Sequence, residues 1–284
     1  MVFLARTRID GPSGCPEFVL IHGLASNARM WDGVAAALAE RGYGSISVDL
    51  RGHGQSPKPE VADGYGFEAV TGDVFDLLID EKLTGENRPV LVGQSWGGNV
   101  AMDMAANAPH AVRAVVAVDG GVIRLAERFP EWDECAARLA PPDLVGTPMA
   151  RIRSWMTVSH PDWPTTGIDG SLANFEVRSD DTVAPWLTRD RHLAVLRALW
   201  EHDPVSCFAR LLVPGTLLMA DSGADWTKDK AAGTAVCVAA SPTEVTVEWF
   251  VGADHDLHAQ YPVRTAESLI AALHRSPDTP RTSL

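Results

Sequence analysis

The chain has 284 residues, 46% of them hydrophobic and 21% charged. This is ordinary globular usage, long enough for one large α/β domain or two modest ones, and it excludes disordered and fibrous classes. Lys and Arg number 24 against 37 Asp and Glu, and the net charge of −13 excludes nucleic acid and anionic membrane surfaces as expected partners, since such a field repels polyanions.

In chain order, the opening MVFLARTRID reaches a charge at Arg6, far short of a signal-peptide core. No later stretch approaches the roughly 20 apolar residues a membrane helix needs, so a soluble cytoplasmic protein is expected. Phe18–Ile21 reads as a buried strand ended by His22-Gly23, and Met30–Arg41 as an amphipathic helix stopped by Gly42. A strand at Ser45–Leu50 closes in the glycine-rich RGHGQS, and a helix is expected over Phe67–Leu83. Strand Pro89–Val92, helix Gly97–Ala108 and strand Ala114–Val118, ending on Asp119, complete the first half. Strands alternating with helices imply parallel pairing, because parallel strands need a crossover.

After Gly121 the rhythm breaks. Residues 122–209 offer helices at Trp132–Leu139, Met149–Val158 and Arg191–Trp200, punctuated by prolines and tryptophans, with no convincing buried strand. The alternation returns with strand Thr216–Ala220, helix Lys228–Ala240, strand Glu244–Val251 and helix Thr265–Arg275. The expected organisation is therefore a mostly parallel α/β core from 1–121 and 210–284, interrupted by a helical cap over 122–209. Such an insertion can fold over the carboxyl ends of the strands, where ligands of these sheets bind. Four well-separated cysteines (Cys15, Cys135, Cys207, Cys237) show no zinc spacing and are expected as reduced core thiols.

The sharpest motif is Gly93-Gln94-Ser95-Trp96-Gly97, between an expected strand and an expected helix. A serine hydroxyl is a poor nucleophile unless it is exposed, oriented and served by a base. A tight strand-to-helix turn supplies exposure, and the helix start aims backbone N–H groups at developing negative charge. This is the nucleophile-elbow pattern in its proper context.

With it, three further segments make the chain resemble the α/β-hydrolase superfamily, in particular its cap-bearing serine esterases, lactonases and C–C hydrolases. They are His22-Gly23-Leu24-Ala25, Asp49-Leu50-Arg51-Gly52-His53-Gly54-Gln55-Ser56, and Gly252-Ala253-Asp254-His255. The resemblance covers about 1–121 and 210–275. It implies Ser95 as nucleophile, backbone N–H groups of Leu24 and Trp96 as the oxyanion hole, and His255 as the base. His258, three residues on, is then a surface or supporting residue. The order serine, acid, histidine leaves three candidates for the acid. Asp225, in the loop ADSGADW and thirty residues before His255, leads; Asp221 at the strand end and Asp119 one strand earlier remain open.

His22 and His53, both before glycine in strand-end loops, are expected to pin those loops, and Asp49 and Arg51 to form a loop-fixing ion pair. Trp132, Trp155, Trp163 and Trp186 are candidates to line an apolar substrate pocket. The string Asp254-His255-Asp256-Leu257-His258 has metal-ligating residue types, but no metal is expected, nor any organic cofactor. The reading is a serine hydrolase of an ester or lactone of a medium-sized, largely apolar molecule. A C–C bond hydrolase of the β-diketone type, or a non-hydrolytic small-molecule binder or sensor, are the alternatives. Serine at 95 argues against the family's haloalkane dehalogenases and epoxide hydrolases, which use a carboxylate nucleophile. Trp96, where the related perhydrolases carry Met, argues against that subgroup.

Overall fold

In a computed structural model, which describes residues 2–12, 14–61, 64–223 and 226–275, the apolar runs assemble into one seven-stranded sheet. Its first half contains β1 (Arg6–Ile9), β2 (Phe18–Ile21), α1 (Asp32–Glu40), β3 (Ser45–Val48), α2 (Phe67–Asp80), β4 (Val90–Gln94), α3 (Trp96–Asn107) and β5 (Ala114–Val118). The cap follows: α4 (Leu125–Arg128), α5 (Trp132–Leu139), α6 (Met149–Ser159), α7 (Thr165–Leu172), β6 (Phe175–Val177), β7 (Val183–Pro185), α8 (Arg189–Glu201) and α9 (Pro204–Ala209). The sheet then resumes with β8 (Gly215–Asp221), α10 (Trp226–Ala240), β9 (Val245–Val251), α11 (Leu257–Gln260) and α12 (Pro262–Arg275).

The strand order is β1-β3-β2-β4-β5-β8-β9, parallel throughout except for β1, which runs antiparallel to β3 at the edge. This is the α/β-hydrolase fold. Every residue of β2, β3, β4 and β5 is buried, as expected for strands covered on both faces. The side-chain period of two sorts β2 between two cores. Val19 and Ile21 face the cluster packed by α2 and α3, while Phe18 and Leu20 face the cluster packed by α1 and α12.

Two differences from the sequence reading have simple causes. β1 is a four-residue, mostly polar edge strand, too short to carry a periodic signal; Arg6 and Arg8 fasten it to Glu81 of the α2 C-terminal turn. The cap holds a short antiparallel hairpin, β6 with β7, among the helices expected there; its residues are mostly half-buried or exposed, so it is not the buried strand an apolar run would mark. The cap sits on the core through Ile152, Trp163, Ile168, Leu172 and Val183, which cluster with Met30 and Ala259. At its far end, α9 packs against α3 and α10.

Candidate active site

Four strand ends converge at the carboxyl edge of the sheet: those of β2, β4, β5 and β9. Ser95, between β4 and α3, has φ +53° and ψ −123°. A non-glycine residue on that side of the Ramachandran map is strained, and such strain persists only where the surroundings over-determine it. Here they do. Ser95 N–H donates to the Val118 carbonyl at 2.9 Å. A β-carbon at Gly97 would overlap the His22 carbonyl oxygen, and one at Gly120 would overlap the Ser95 carbonyl. The elbow is thus wedged between the turns after β2 and β5, and only glycine fits at those two contacts.

His255 lies four residues beyond the last residue of β9 with its side chain about half exposed, and its Nε2 is 2.9 Å from Ser95 Oγ. Its Nδ1 lies 2.6 Å from Asp119 Oδ2. The carboxylate on the imidazole is therefore that of Asp119, the residue after β5. Asp221, at the end of β8, accepts a hydrogen bond from Gly223 N–H within its own turn, and Asp225 lies outside the described residues. The structure thus brings to the imidazole the alternative one strand earlier, while the leading expectation falls on a residue outside those described. The physical reason is local: Asp119 has φ +42°, which turns its side chain across β8, where Ala220 N–H donates to Oδ1 at 2.9 Å and leaves Oδ2 for His255.

The electrostatics fit this geometry. Burial would push the Asp119 carboxyl up, but the His255 hydrogen bond and the charges of His255 and Lys230 hold it below its ordinary value. Burial would push the His255 imidazole down, but the Asp119 hydrogen bond and the Asp256 and Asp119 charges raise it above its ordinary value. Asp256, beside it, is itself pushed up by burial.

Opposite Ser95, the turn after β2 carries Leu24. Among the described residues, neither Leu24 N–H nor Trp96 N–H, the first of α3, donates to a protein acceptor. That turn is set by His22 and His53, both buried and neutral. His22 Nε2 accepts from Leu50 N–H at 3.0 Å and its Nδ1 is 2.7 Å from the Gly23 carbonyl. His53 Nε2 lies 3.3 Å from Ala25 N–H, its Nδ1 is 3.0 Å from the Arg51 carbonyl, and its ring stacks on Trp96. Burial lowers both imidazole pKa values, His53 well below the ordinary one. Asp49 and Arg51 do not pair with each other, as the sequence reading had it. Asp49 accepts from Ala28 and Gln55 N–H groups, while Arg51 grips Asp73 of α2 with two hydrogen bonds at 2.6 and 2.7 Å. His258 is also not a surface residue: it is fully buried against Trp31, and burial pushes its imidazole down to about 3.

Ser95 opens into a cavity of about 280 Å³ between core and cap. Its walls include Met30, Ile152, Trp155, Met156, Trp163 and Phe175. Of the four candidate tryptophans, Trp155 and Trp163 are there. Trp132 instead packs edge-on to Trp200, and Trp186 lies beneath Lys58, neither lining this cavity. The methionines and Phe175 carry no motif; only the docking of the cap selects them. A larger cavity of about 460 Å³ lacks Ser95 but reaches His255 and Asp119, with Lys230, Val122, Leu125 and Met219 in its walls.

A further cluster unforeseen in the sequence, Asp103, His202 and Cys207, brings three ligand-type atoms within 4.8 Å of one another. Asn99 holds the backbone of Ile123 through both amide ends, so its NH₂ points at His202 Nδ1 at 3.2 Å. That orientation makes Nδ1 the acceptor and leaves the proton on Nε2, the atom facing Asp103 and Cys207. In this arrangement Nε2 carries the proton, and burial and Asp103 push the Cys207 thiol up to about 12.

Comparison with known proteins agrees with the fold. A family model described as the alpha/beta hydrolase fold matches residues 16–146, from the residue pair before β2 into the cap. An uncharacterised protein of Mycobacterium tuberculosis is 39% identical over 135 residues, covering 45% of this chain and 38% of that relative. Lipase LipV of the same organism is 34% identical over 155 residues, 53% of this chain and 56% of the lipase. The solved structure of E-2-(acetamidomethylene)succinate hydrolase superposes with a TM-score of 0.77 at 22% identity, over 95% of this chain and 99% of that one. The chain thus spans about half or less of the length of these two curated relatives, while the likeness in fold covers nearly all of it. The chain has the α/β-hydrolase fold, and the family model of that fold matches its N-terminal part.

Proposed function

We propose that the protein is a serine hydrolase that cleaves an ester or lactone of a medium-sized, largely apolar small molecule. The observation that carries this reading is the continuous contact from Ser95 Oγ through the His255 ring to Asp119, at 2.9 and 2.6 Å. Ser95 Oγ attacks the carbonyl carbon as His255 Nε2 takes its proton. Asp119 keeps the proton on Nδ1 and stabilises the imidazolium. The carbonyl oxygen gains the negative charge, met by Leu24 and Trp96 N–H groups. The imidazolium returns its proton to the leaving alkoxide, and a water, activated by the same ring, releases the acid.

The apolar and sulfur-bearing walls of the 280 Å³ cavity support an apolar acyl or alcohol portion of modest size. A carboxylate nucleophile, as an epoxide hydrolase or dehalogenase of this family would need, is replaced by Ser95. Hydrolysis rates across a panel of p-nitrophenyl esters of increasing chain length, aliphatic lactones and vinylogous β-diketones test the proposal. Turnover of esters or lactones supports it. Turnover of diketones alone assigns the triad to C–C cleavage, and saturable binding of the panel without turnover overturns the enzyme reading.

A further inference from the structure

Lys230, in α10, reaches back to the end of β5. Its Nζ donates to Asp119 Oδ1 at 2.6 Å and to the Ala220 carbonyl at 2.9 Å. Ala220 N–H donates to that same Oδ1. The carboxylate is thus held from one side by an amide and an ammonium, with the imidazole on Oδ2. Asp119 is buried, and the Lys230 side chain is only 12% exposed, so the pair is poorly screened. A neutral donor alone is enough to aim a carboxylate. An ammonium adds a positive charge that cancels part of what the imidazolium would otherwise feel.

We propose that Lys230 is a positioning residue for the triad: it aims Asp119 at His255 and offsets part of its charge, so the base stays neutral further into the acidic range. This rests on the triad reading above. The other groups facing the site do not duplicate the effect. From the turn after β9, Asp256 favours the imidazolium, and Asp254 with His160, just after α6, stands next to Asp256. His258 of α11 is buried and neutral. In the shared cavity, Arg124 of α4 is paired with Glu127, with Arg128 and Asp229 further along the wall.

The test uses the full chain in three variants, Lys230→Gln, Lys230→Met and Lys230→Arg. The rate of Ser95 labelling by a fluorophosphonate is followed across pH, and the His255 ring is titrated by NMR in the same proteins. Lys230→Gln keeps a donor and removes the charge. It is expected to move the acidic limb of labelling, and the His255 titration, to higher pH, with the rate on that limb falling at least about threefold relative to its own plateau. Lys230→Arg restores the wild-type position. Lys230→Met adds a loss of plateau rate from misaimed Asp119; if it fails to fold, Lys230→Gln still decides. A uniform loss at every pH with an unmoved limb would mean a structural lysine only and overturns the proposal. If wild-type Ser95 is not labelled at any pH, the hydrolase reading fails, while an unmoved His255 titration in Lys230→Gln separately refutes the role of Lys230.

Discussion

The sheet core and the cap hold their buried surface in opposite ways. In the core, β2 to β5 are buried at every residue and sandwiched between two apolar clusters. In the cap, α4 buries nothing, α5 buries only Cys135 and α6 only Ile152. The reacting atoms hang from the first kind of scaffold, and most of the cavity wall from the second. Backbone strain at Ser95 and Asp119 is affordable only because four close-packed strands surround it. The cap's later helices are anchored more firmly: α7 buries Ile168 and Leu172, and α8 places Val195 and Leu199 in the main core. On the proposed reading, the chemistry belongs to the sheet core and much of the selectivity to the cap.

Substitutions can break this division or sharpen it. The largest expected effect is at the elbow. Ser95→Ala should lose at least about 10⁴ in kcat with an unchanged thermal midpoint, and Ser95→Ala with His255→Ala should lose little more, because a triad acts as a unit. Additive losses in the double variant would show that the two residues work apart. Next comes the acid. Asp119→Asn favours the wrong imidazole tautomer and should cost up to about 10⁴ in kcat, whereas Asp221→Asn and Asp225→Asn should each stay within about tenfold of wild type.

A third effect is on stability. His258, neutral in the folded core and ordinary when unfolded, binds protons in the unfolded state first. Its contribution is present above about pH 6.5 and declines as pH falls toward 3, by about 2–3 kcal/mol between pH 6.5 and 4.5. Denaturant midpoints across that range should show this slope, and His258→Phe should flatten it. The smallest effects belong to the cap. Trp155→Ala should change KM and chain-length preference while leaving fluorophosphonate labelling within about threefold. Val158→Ala, at a residue 77% exposed, should stay within about 0.5 kcal/mol, against roughly 2 kcal/mol for Val116→Ala in β5.

The parts legible in the sequence are those set by backbone periodicity and local turns. Phe18–Ile21 and Ala114–Val118 are strands over just the residues their apolar runs suggest, because parallel central strands bury both faces. Ser95, His255, Leu24 and Trp96 sit at strand ends that motifs mark. The acid was harder. Spacing along the chain favours the loop after β8, but three-dimensional register decides the contact, and Ala220 N–H beside β5 draws Asp119 into it. Lys230 carried no signal, since one lysine in a helix resembles any other until β5 and β8 pair. The cap pocket was legible only as a preference for tryptophan. Trp132 and Trp200 satisfy each other within the cap, leaving the cavity to residues such as Met30 and Phe175 that docking alone brings together.

The central claim is that Ser95, His255 and Asp119 act as one nucleophilic unit. Its most direct measurement is the rate of covalent labelling by a fluorophosphonate, with the modified residue mapped by mass spectrometry, in wild type and in Asp119→Asn. The account predicts a single adduct on Ser95, formed faster by about two orders of magnitude or more in wild type, with an acidic limb above the ordinary histidine pKa of about 6.5. Labelling elsewhere, or a rate on Ser95 indifferent to Asp119→Asn, would contradict it.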